Sequence, residues 1–499
     1  MTENTASRRT MLKGLMALGA GAAATPVLAA GSNQTATDNE LPQKDYDCVV
    51  LGCGTGGLVT AIIAAEAGAK VALLEKCDRA NGNSIYAVGG LASWGTKYHK
   101  EHGIKDTRED FYKTMMTVSA NRADPDLTAT YVDNISSAVD WLTDSIGITI
   151  KCPMKAPWPL YERCLLIDGK GITGGSMLVQ SLLKRALERK VDVFYEHKAV
   201  SLVTKNDGSV CGVIAQTPSN RIQFNARGGV VIATGGFSAN QEYVENYIGN
   251  WASRLVLRGS PSVTGENITL TRPLFAKLVN MSQFHAGPID ADTHINPQAV
   301  LNSGYGFIVN CQGRRFLDEQ HTYVEKAKEC GQLTMENKAW QIMDSQWDRL
   351  PGYLKTSRRL NAFVAQADTF EDLCRQIDVP FDVFKKSLNE WNKAVGEGKT
   401  GELKPACTLV GPHKVEKGPF YAIPFNGGMT ATYGGPKITV KAEVTNLEGK
   451  VIPGLYAVGN AAGGLFYKDY LGGSQLGGAT VFGRICGREV AARAARNNK

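Results

Sequence analysis

A glycine-rich turn, set between a short apolar strand and an alanine-rich helix, constrains this chain more than any other feature. Asp47-Cys48-Val49-Val50-Leu51 runs straight into Gly52-Cys53-Gly54-Thr55-Gly56-Gly57, and helix-forming residues from Leu58 to Ala67 follow, closed by Gly68. A second apolar strand, Val71 to Leu74, ends in Glu75 and Lys76. Strand, turn, helix, strand and acid in that order predict a βαβ unit that holds a dinucleotide. Gly52, Gly54 and Gly57 allow a tight turn and close approach of a pyrophosphate to the helix N-terminus, whose free amides attract it. Glu75, eighteen residues beyond Gly57, is placed to accept hydrogen bonds from a ribose hydroxyl.

The 499 residues suit a two-domain chain, and 43% hydrophobic with 21% charged residues is a globular composition. The net charge of +7 is not gathered into a Lys/Arg stripe, so nucleic acid is not expected as a partner. A mildly basic surface suits an anionic substrate or an acidic electron-transfer partner. The eleven cysteines include no CxxC and no CxxCH. That spacing excludes zinc-ribbon, iron–sulfur, thioredoxin-like and c-type haem readings, and no metal site is expected.

Ser7-Arg8-Arg9-Thr10-Met11-Leu12-Lys13 sets paired arginines before an Ala/Gly/Leu-rich stretch ending in Val27-Leu28-Ala29-Ala30. This resembles a twin-arginine export signal over residues 1–30, and it implies a periplasmic protein that folds and loads its cofactor before transport. The stretch is shorter than the ~20 apolar residues of a membrane span, so no stable span is expected. Residues 31–44 read as a polar linker, with structure starting near Asp45.

Further segments carry a family resemblance. Asn81-Gly82-Asn83-Ser84-Ile85-Tyr86-Ala87-Val88-Gly89-Gly90, Val230-Val231-Ile232-Ala233-Thr234-Gly235-Gly236-Phe237, Gly454-Leu455-Tyr456-Ala457-Val458-Gly459-Asn460 and Val481-Phe482-Gly483-Arg484 span most of the chain. Together they resemble the fumarate reductase/succinate dehydrogenase flavoprotein family. The resemblance implies an α/β fold: a Rossmann-like FAD-binding domain in two parts, residues 45–284 and 430–499, with an inserted α+β capping domain over 285–429. It also implies FAD, held by Gly52, Gly54, Gly57, Glu75, Lys76, Asn83, Ser84, Gly89, Gly90, Ala199, Thr234, Gly235, Gly459, Asn460, Ser474 and Leu476. Covalent members carry a His in the loop at 81–90; none stands there, so non-covalent FAD is expected.

The departures bear on the substrate. Fumarate reductases of the family carry paired His before TMGG, an arginine in an NRLGGNA context and a relay arginine three residues after the NE glutamate. This chain has Thr430-Ala431-Thr432-Tyr433-Gly434-Gly435, Lys468-Asp469-Tyr470-Leu471-Gly472-Gly473-Ser474, and Thr322. Those three changes argue against a dicarboxylate. Tyr470-Leu471-Gly472-Gly473 with Gly459-Asn460 resembles the 3-ketosteroid dehydrogenase branch, which implies that Tyr470 and an N–H of Gly473-Ser474 grip a carbonyl or a single carboxylate; the bland alternative is that Tyr470 packs under the flavin. His285, Glu319 and Arg349 are further catalytic candidates by position, each with a structural alternative, and Tyr323 and Tyr433 are candidate acids. The expected activity is reduction of a small α,β-unsaturated carboxylate or carbonyl compound as a respiratory electron acceptor, with a separate c-type cytochrome as donor. A ketone-desaturating dehydrogenase and a substrate-free electron-transfer subunit are the alternatives.

Overall fold

The computed structural model describes residues 41–155 and 160–497. Residues 1–30, where an export signal is expected, and residues 31–40 of the expected linker lie outside them. Strand β1 (Gln43–Leu51), helix α1 (Thr55–Glu66), β2 (Val71–Leu74), helix α2 (Gly174–Glu188), β3 (Asp192–Phe194) and β4 (Arg221–Ile232) build the nucleotide half. The sheet runs β4-β1-β2-β3 in parallel, with Val451–Ala457 beside β4, also parallel. Val49 to Leu51, Val71 to Leu74 and Val230 to Ile232 are all buried. Parallel strands covered on both faces need such unbroken apolar runs, and each fully buried Val or Leu contributes about 1.5–3 kcal/mol. Residues Lys198–Thr204 and Val210–Gln216 form the hairpin that Asn206-Asp207-Gly208 signals, and it joins the sheet through β4.

Two boundaries differ from the expectation. β1 begins at Gln43, ahead of both the expected strand at Asp47 and the expected start of structure near Asp45, because Gln43 to Tyr46 pair with Gln223 to Ala226 of β4. α1 begins at Thr55, three residues before Leu58, with Gly54 as an N-cap that offers no side chain to the free amides.

A second sheet lies further along the chain. Its axis is the 13-residue strand Phe420–Thr432. One part of that strand pairs with Ala339–Met343 and Ala365–Ala367; the other pairs with β5 (Val256–Leu257) and β6 (Phe284–Ile289). The sheet therefore takes its first strand from upstream of residue 285. Helix α3 (Tyr323–Leu333) packs Val324 and Ala327 against Phe284, Ala286 and Met429. Naming Phe420–Thr432 β7, the residues that matter below sit at the β5, β6 and β7 ends and at the start of α3. The mixed α/β fold is the class the sequence predicts.

The turn at the end of β1 tolerates no side chain at Gly57, where a Cβ would lie 1.9 Å from the Gly52 carbonyl oxygen. Gly57→Ala is expected to cost about 1–3 kcal/mol of stability through that overpacking. The denaturant midpoint measures it, and an unchanged midpoint would contradict this packing.

Candidate active site

A cavity of about 450 Å³ is lined by two sets of residues: the glycine turn with its neighbours, and a cluster of aromatic and cationic side chains. In the first set are Gly52 and Gly54, ahead of the uncapped N-terminus of α1. The nearest atom to a Cβ on Gly54 would be Ser84 Oγ at 3.7 Å, so the space before the helix is open to a phosphate. Ser84 Oγ accepts from Thr55 N at 3.2 Å and ties the loop at 81–90 to the same helix end. Glu75 accepts from the amides of Cys53 and Cys77 at 3.0 Å each. A carboxylate oxygen has two lone pairs, so Glu75 retains acceptor capacity for a ribose. Lys76 is held at 2.6 Å by Glu266 and by Thr264, and the other carboxylate oxygen of Glu266 is buried with no partner. The cavity, the open helix end and these orphaned acceptors fit an adenine dinucleotide.

Most of the sequence-predicted cofactor residues line this cavity. Besides those above, they are Asn83, Gly89, Gly90 and Ala199, then Thr234, Gly235, Gly459, Asn460 and Leu476. Asn460 donates to Gln475 Oε1 at 2.7 Å. Two are not lining residues. Gly57 packs behind the turn against Gly52, and Ser474 is buried at the start of the final helix, its N–H already donated to Leu471 O at 2.9 Å. Of the two amides proposed to grip a carbonyl, that leaves Gly473 N–H, which has no hydrogen-bond partner among the described residues.

The catalytic candidates divide. His285 and Tyr470 line the cavity; Glu319 and Arg349 do not. Arg349 is exposed at the N-terminus of the helix Leu350–Arg359. Glu319 is buried, and its carboxylate is taken by Arg315 and by the amide of Ile308. It stands in a buried ion pair and does not line the cavity, which is the arrangement of the structural alternative. Tyr323 lines the cavity, whereas Tyr433 is fully buried beside Tyr470 with its hydroxyl unpartnered.

Local structure explains the placement. Thr322 caps α3 in a capping box with Glu325, which fixes Tyr323 as the first helical residue. His285 sits opposite Ala431 of β7, at a bulge between His285 and Ala286; bulges re-aim side chains. The His285 ring meets Tyr470 edge-to-face, with centroids 4.5 Å apart. Asp469 anchors Tyr470 from behind by accepting its backbone N–H at 2.7 Å.

Arg258, which the sequence did not single out, completes the cluster. It directly follows β5, its N–H bonds Met429 O at 2.8 Å, and its guanidinium donates to Thr430 Oγ1 at 2.9 Å. Only tertiary structure brings it to Tyr323 and Tyr470, so no motif marks it. Thr430, also lining, became visible the same way.

Burial sets the protonation states. His285 is pushed well below the usual imidazole range by burial, then by Arg258 and Lys328, and is neutral. Burial raises Tyr470 well above 10, with Tyr323 adding to it. Burial, and then the charge of Asp469, raises Tyr323 to about 12, while the Tyr470 hydroxyl lowers it. Tyr323 is thus the phenol of the pair whose anion has a donor beside it. Arg258 is lowered by burial, and no carboxylate acts on it among the described residues. The cluster presents Arg258, two protonated phenols and a neutral imidazole. It is rich in donors, and no carboxylate among the described residues pairs with Arg258.

The family model for the FAD binding domain matches residues 47–481. An NADH:fumarate oxidoreductase of Klebsiella pneumoniae is 28% identical over 458 residues, 91% of this chain and 48% of that protein, so the chain spans about half of that relative's length. A vinyl phenol reductase of Lactiplantibacillus plantarum is 28% identical over 488 residues, covering 89% of this chain and 96% of the relative. The open conformation of a flavocytochrome c3 fumarate reductase superposes with a TM-score of 0.79 at 26% identity, over 91% of this chain and 79% of that one. No helix among the described residues is long and apolar enough to cross a membrane.

Asp469 behind Tyr470 gives a pH test. Burial raises its carboxyl from 3.8 to about 6, so the folded protein holds a proton that the unfolded chain releases. The stability tied to that proton is full below about pH 4 and is lost as pH rises through about 6. Asp469→Asn should therefore gain on wild type by about 2 kcal/mol between pH 4 and pH 7.5. Denaturant midpoints at the two pH values measure it; a pH-independent difference would contradict a buried, protonated Asp469.

Proposed function

This chain belongs to the FAD binding domain family, and from that premise we propose that it is a periplasmic reductase of the C=C bond in a small α,β-unsaturated carboxylate or carbonyl compound. FAD-dependent oxidoreduction of C=C groups follows from the family and the reductases it resembles. The observation that carries the finer reading is the donor-rich cluster sharing one cavity with the dinucleotide turn. FAD, when bound, supplies the hydride that adds to the β-carbon of the substrate. Tyr470 and Gly473 N–H hold the carbonyl oxygen, and their hydrogen bonds strengthen as negative charge develops there. Tyr323 delivers a proton to the α-carbon. Two electrons and two protons are consumed for each C=C reduced, and the saturated compound leaves.

Ketone desaturation, the alternative, needs a base in the same place. The phenols there are held protonated, so the cluster offers an acid rather than a base. A pure electron carrier gains nothing from such a cluster. The loop at 81–90 has no histidine, which supports non-covalent flavin. Paired arginines at 8 and 9 support export, and a relative whose solved structure is named a flavocytochrome supports a c-type cytochrome as the electron donor.

Two tests follow from this reading. Photoreduced, anaerobic enzyme should be re-oxidised by 2-enoates or enones, and Tyr470→Phe should slow this by about 10²–10³-fold, the usual cost of one such donor. Re-oxidation by none of them, with flavin reduction by a saturated ketone instead, would establish the dehydrogenase. Separately, Arg8→Lys with Arg9→Lys should leave the precursor in the cytoplasm on cell fractionation; normal export of the variant would refute the twin-arginine route.

A further inference from the structure

We propose that Arg258 is the carboxylate-binding residue of this enzyme and makes its substrate an anionic 2-enoate with a single carboxylate. The proposal rests on the reductase reading above and deepens it.

Two observations and the chemistry of a guanidinium converge on this side chain. It lines the cavity together with His285, Tyr323 and Tyr470. It has no anionic partner among the described residues, its one side-chain hydrogen bond being to Thr430 Oγ1 at 2.9 Å. A guanidinium has five N–H donors in a planar fork shaped for a carboxylate, so most of them are free. A charge withdrawn from water and left unpaired is unfavourable, and an incoming anion removes that cost.

The backbone is also built around this side chain. A Cβ on Gly287 of β6 would lie 1.8 Å from Arg258 Nη1, and one on Gly428 of β7 would lie 2.4 Å from its Cδ. Two neighbouring strands thus omit side chains where the arginine passes. The next residues are fixed as well: Ser260 N–H donates to Asn83 Oδ1 at 2.7 Å, and Asn83 Nδ2 donates to Thr430 O at 2.9 Å. Asn83 lies in the loop at 81–90, so the arginine is registered against the segment that the sequence assigns to the flavin.

The chemistry of the neighbours selects the ligand. The phenols of Tyr323 and Tyr470 stay protonated and donate, and neutral His285 carries one N–H. Glu75 and Glu266, the carboxylates lining the cavity, bond the Cys53 and Cys77 amides and Lys76, and neither pairs with Arg258. A pyrophosphate belongs to the α1 terminus, a different set of residues. What remains beside Arg258 is a place for one carboxylate. A second carboxylate would find no further unpaired cation in this cluster among the described residues, because Lys328 is turned to the Lys468 carbonyl and the Phe284 ring. As hydride adds to the β-carbon, charge moves onto the carboxylate oxygens, where Arg258 and Tyr470 stabilise it.

The test compares acids with their methyl esters. Flavin-loaded wild type, Arg258→Gln and Arg258→Lys are titrated in the oxidised state with 3-phenylpropanoate and its methyl ester, reading perturbation of flavin absorbance. Photoreduced samples are then re-oxidised with 2-butenoate, 3-phenylpropenoate and their methyl esters. Wild type should favour acid over ester, and Arg258→Gln should weaken acid binding roughly 100-fold, as loss of a buried charge partner does. Ester binding should stay within a few-fold, and Arg258→Lys should restore part of the acid affinity. Thermal midpoints and flavin content of the variants identify any folding failure, and the Lys variant then decides. Equal loss of acid and ester, or an unchanged acid preference in Arg258→Gln, would overturn the assignment. If wild type binds the acid through Arg258 but reduces no enoate, the reductase reading fails while the anion site stands. If wild type reduces esters as readily as acids, the anion site fails and the reductase reading stands.

Discussion

The Asn83 side chain holds the two halves of the site together. Its amide donates to the Thr430 carbonyl and its oxygen accepts from Ser260 N–H, so one residue of the flavin-side loop spans the ends of β5 and β7. Neither of those strand ends belongs to the nucleotide sheet. Without this bridge, Arg258 and Thr430 would lose their registry with the turn at Gly52 to Gly57. Both bonds are part-buried, where an amide that loses its partner forfeits about 1–3 kcal/mol. The bridge is fixed further at Gly259, where a Cβ would lie 2.4 Å from Thr430 O and 2.6 Å from Asn83 Oδ1.

Around that bridge the molecule segregates acceptors from donors. On the nucleotide side, Glu75 and Glu266 present carboxylate oxygens. On the other, Arg258, Tyr323, Tyr470 and His285 present N–H and O–H groups, kept in their donating forms by burial. That polarity suits a ligand pair in which one partner brings ribose hydroxyls and the other a carbonyl or carboxylate. Where the family resemblance leads one to expect an arginine in the C-terminal motif, Lys468-Asp469-Tyr470 stands, and Arg258, directly after β5, lines the same cavity as Tyr470.

How much of this was legible in the sequence depends on the range of the interaction. The glycine turn, Glu75 and the loop at 81–90 are local signals tied to backbone geometry, and most of their residues come together in the cavity, while Gly57 packs behind the turn. Tyr470 and His285 were reached through position relative to motifs, and they meet at 4.5 Å. Glu319 and Arg349 were reached the same way and lie outside the cavity, because an ion pair with Arg315 and an exposed helix start satisfy them locally. Arg258 carried no local signal. It becomes visible only when β5 pairs with β7, a contact between residues more than 170 positions apart in the chain. The early start of β1 was hidden for the same reason: pairing with β4, not composition, orders Gln43 and Lys44.

The most direct measurement is a crystal structure of the FAD-loaded enzyme with 3-phenylpropanoate, the saturated counterpart of an enoate. The carboxylate should lie within hydrogen-bonding distance of Arg258 and Tyr470, with the adjacent carbons facing the flavin and Tyr323 over the α-carbon. A carboxylate bound elsewhere, or Arg258 paired with the flavin itself and turned from the ligand, would contradict this placement.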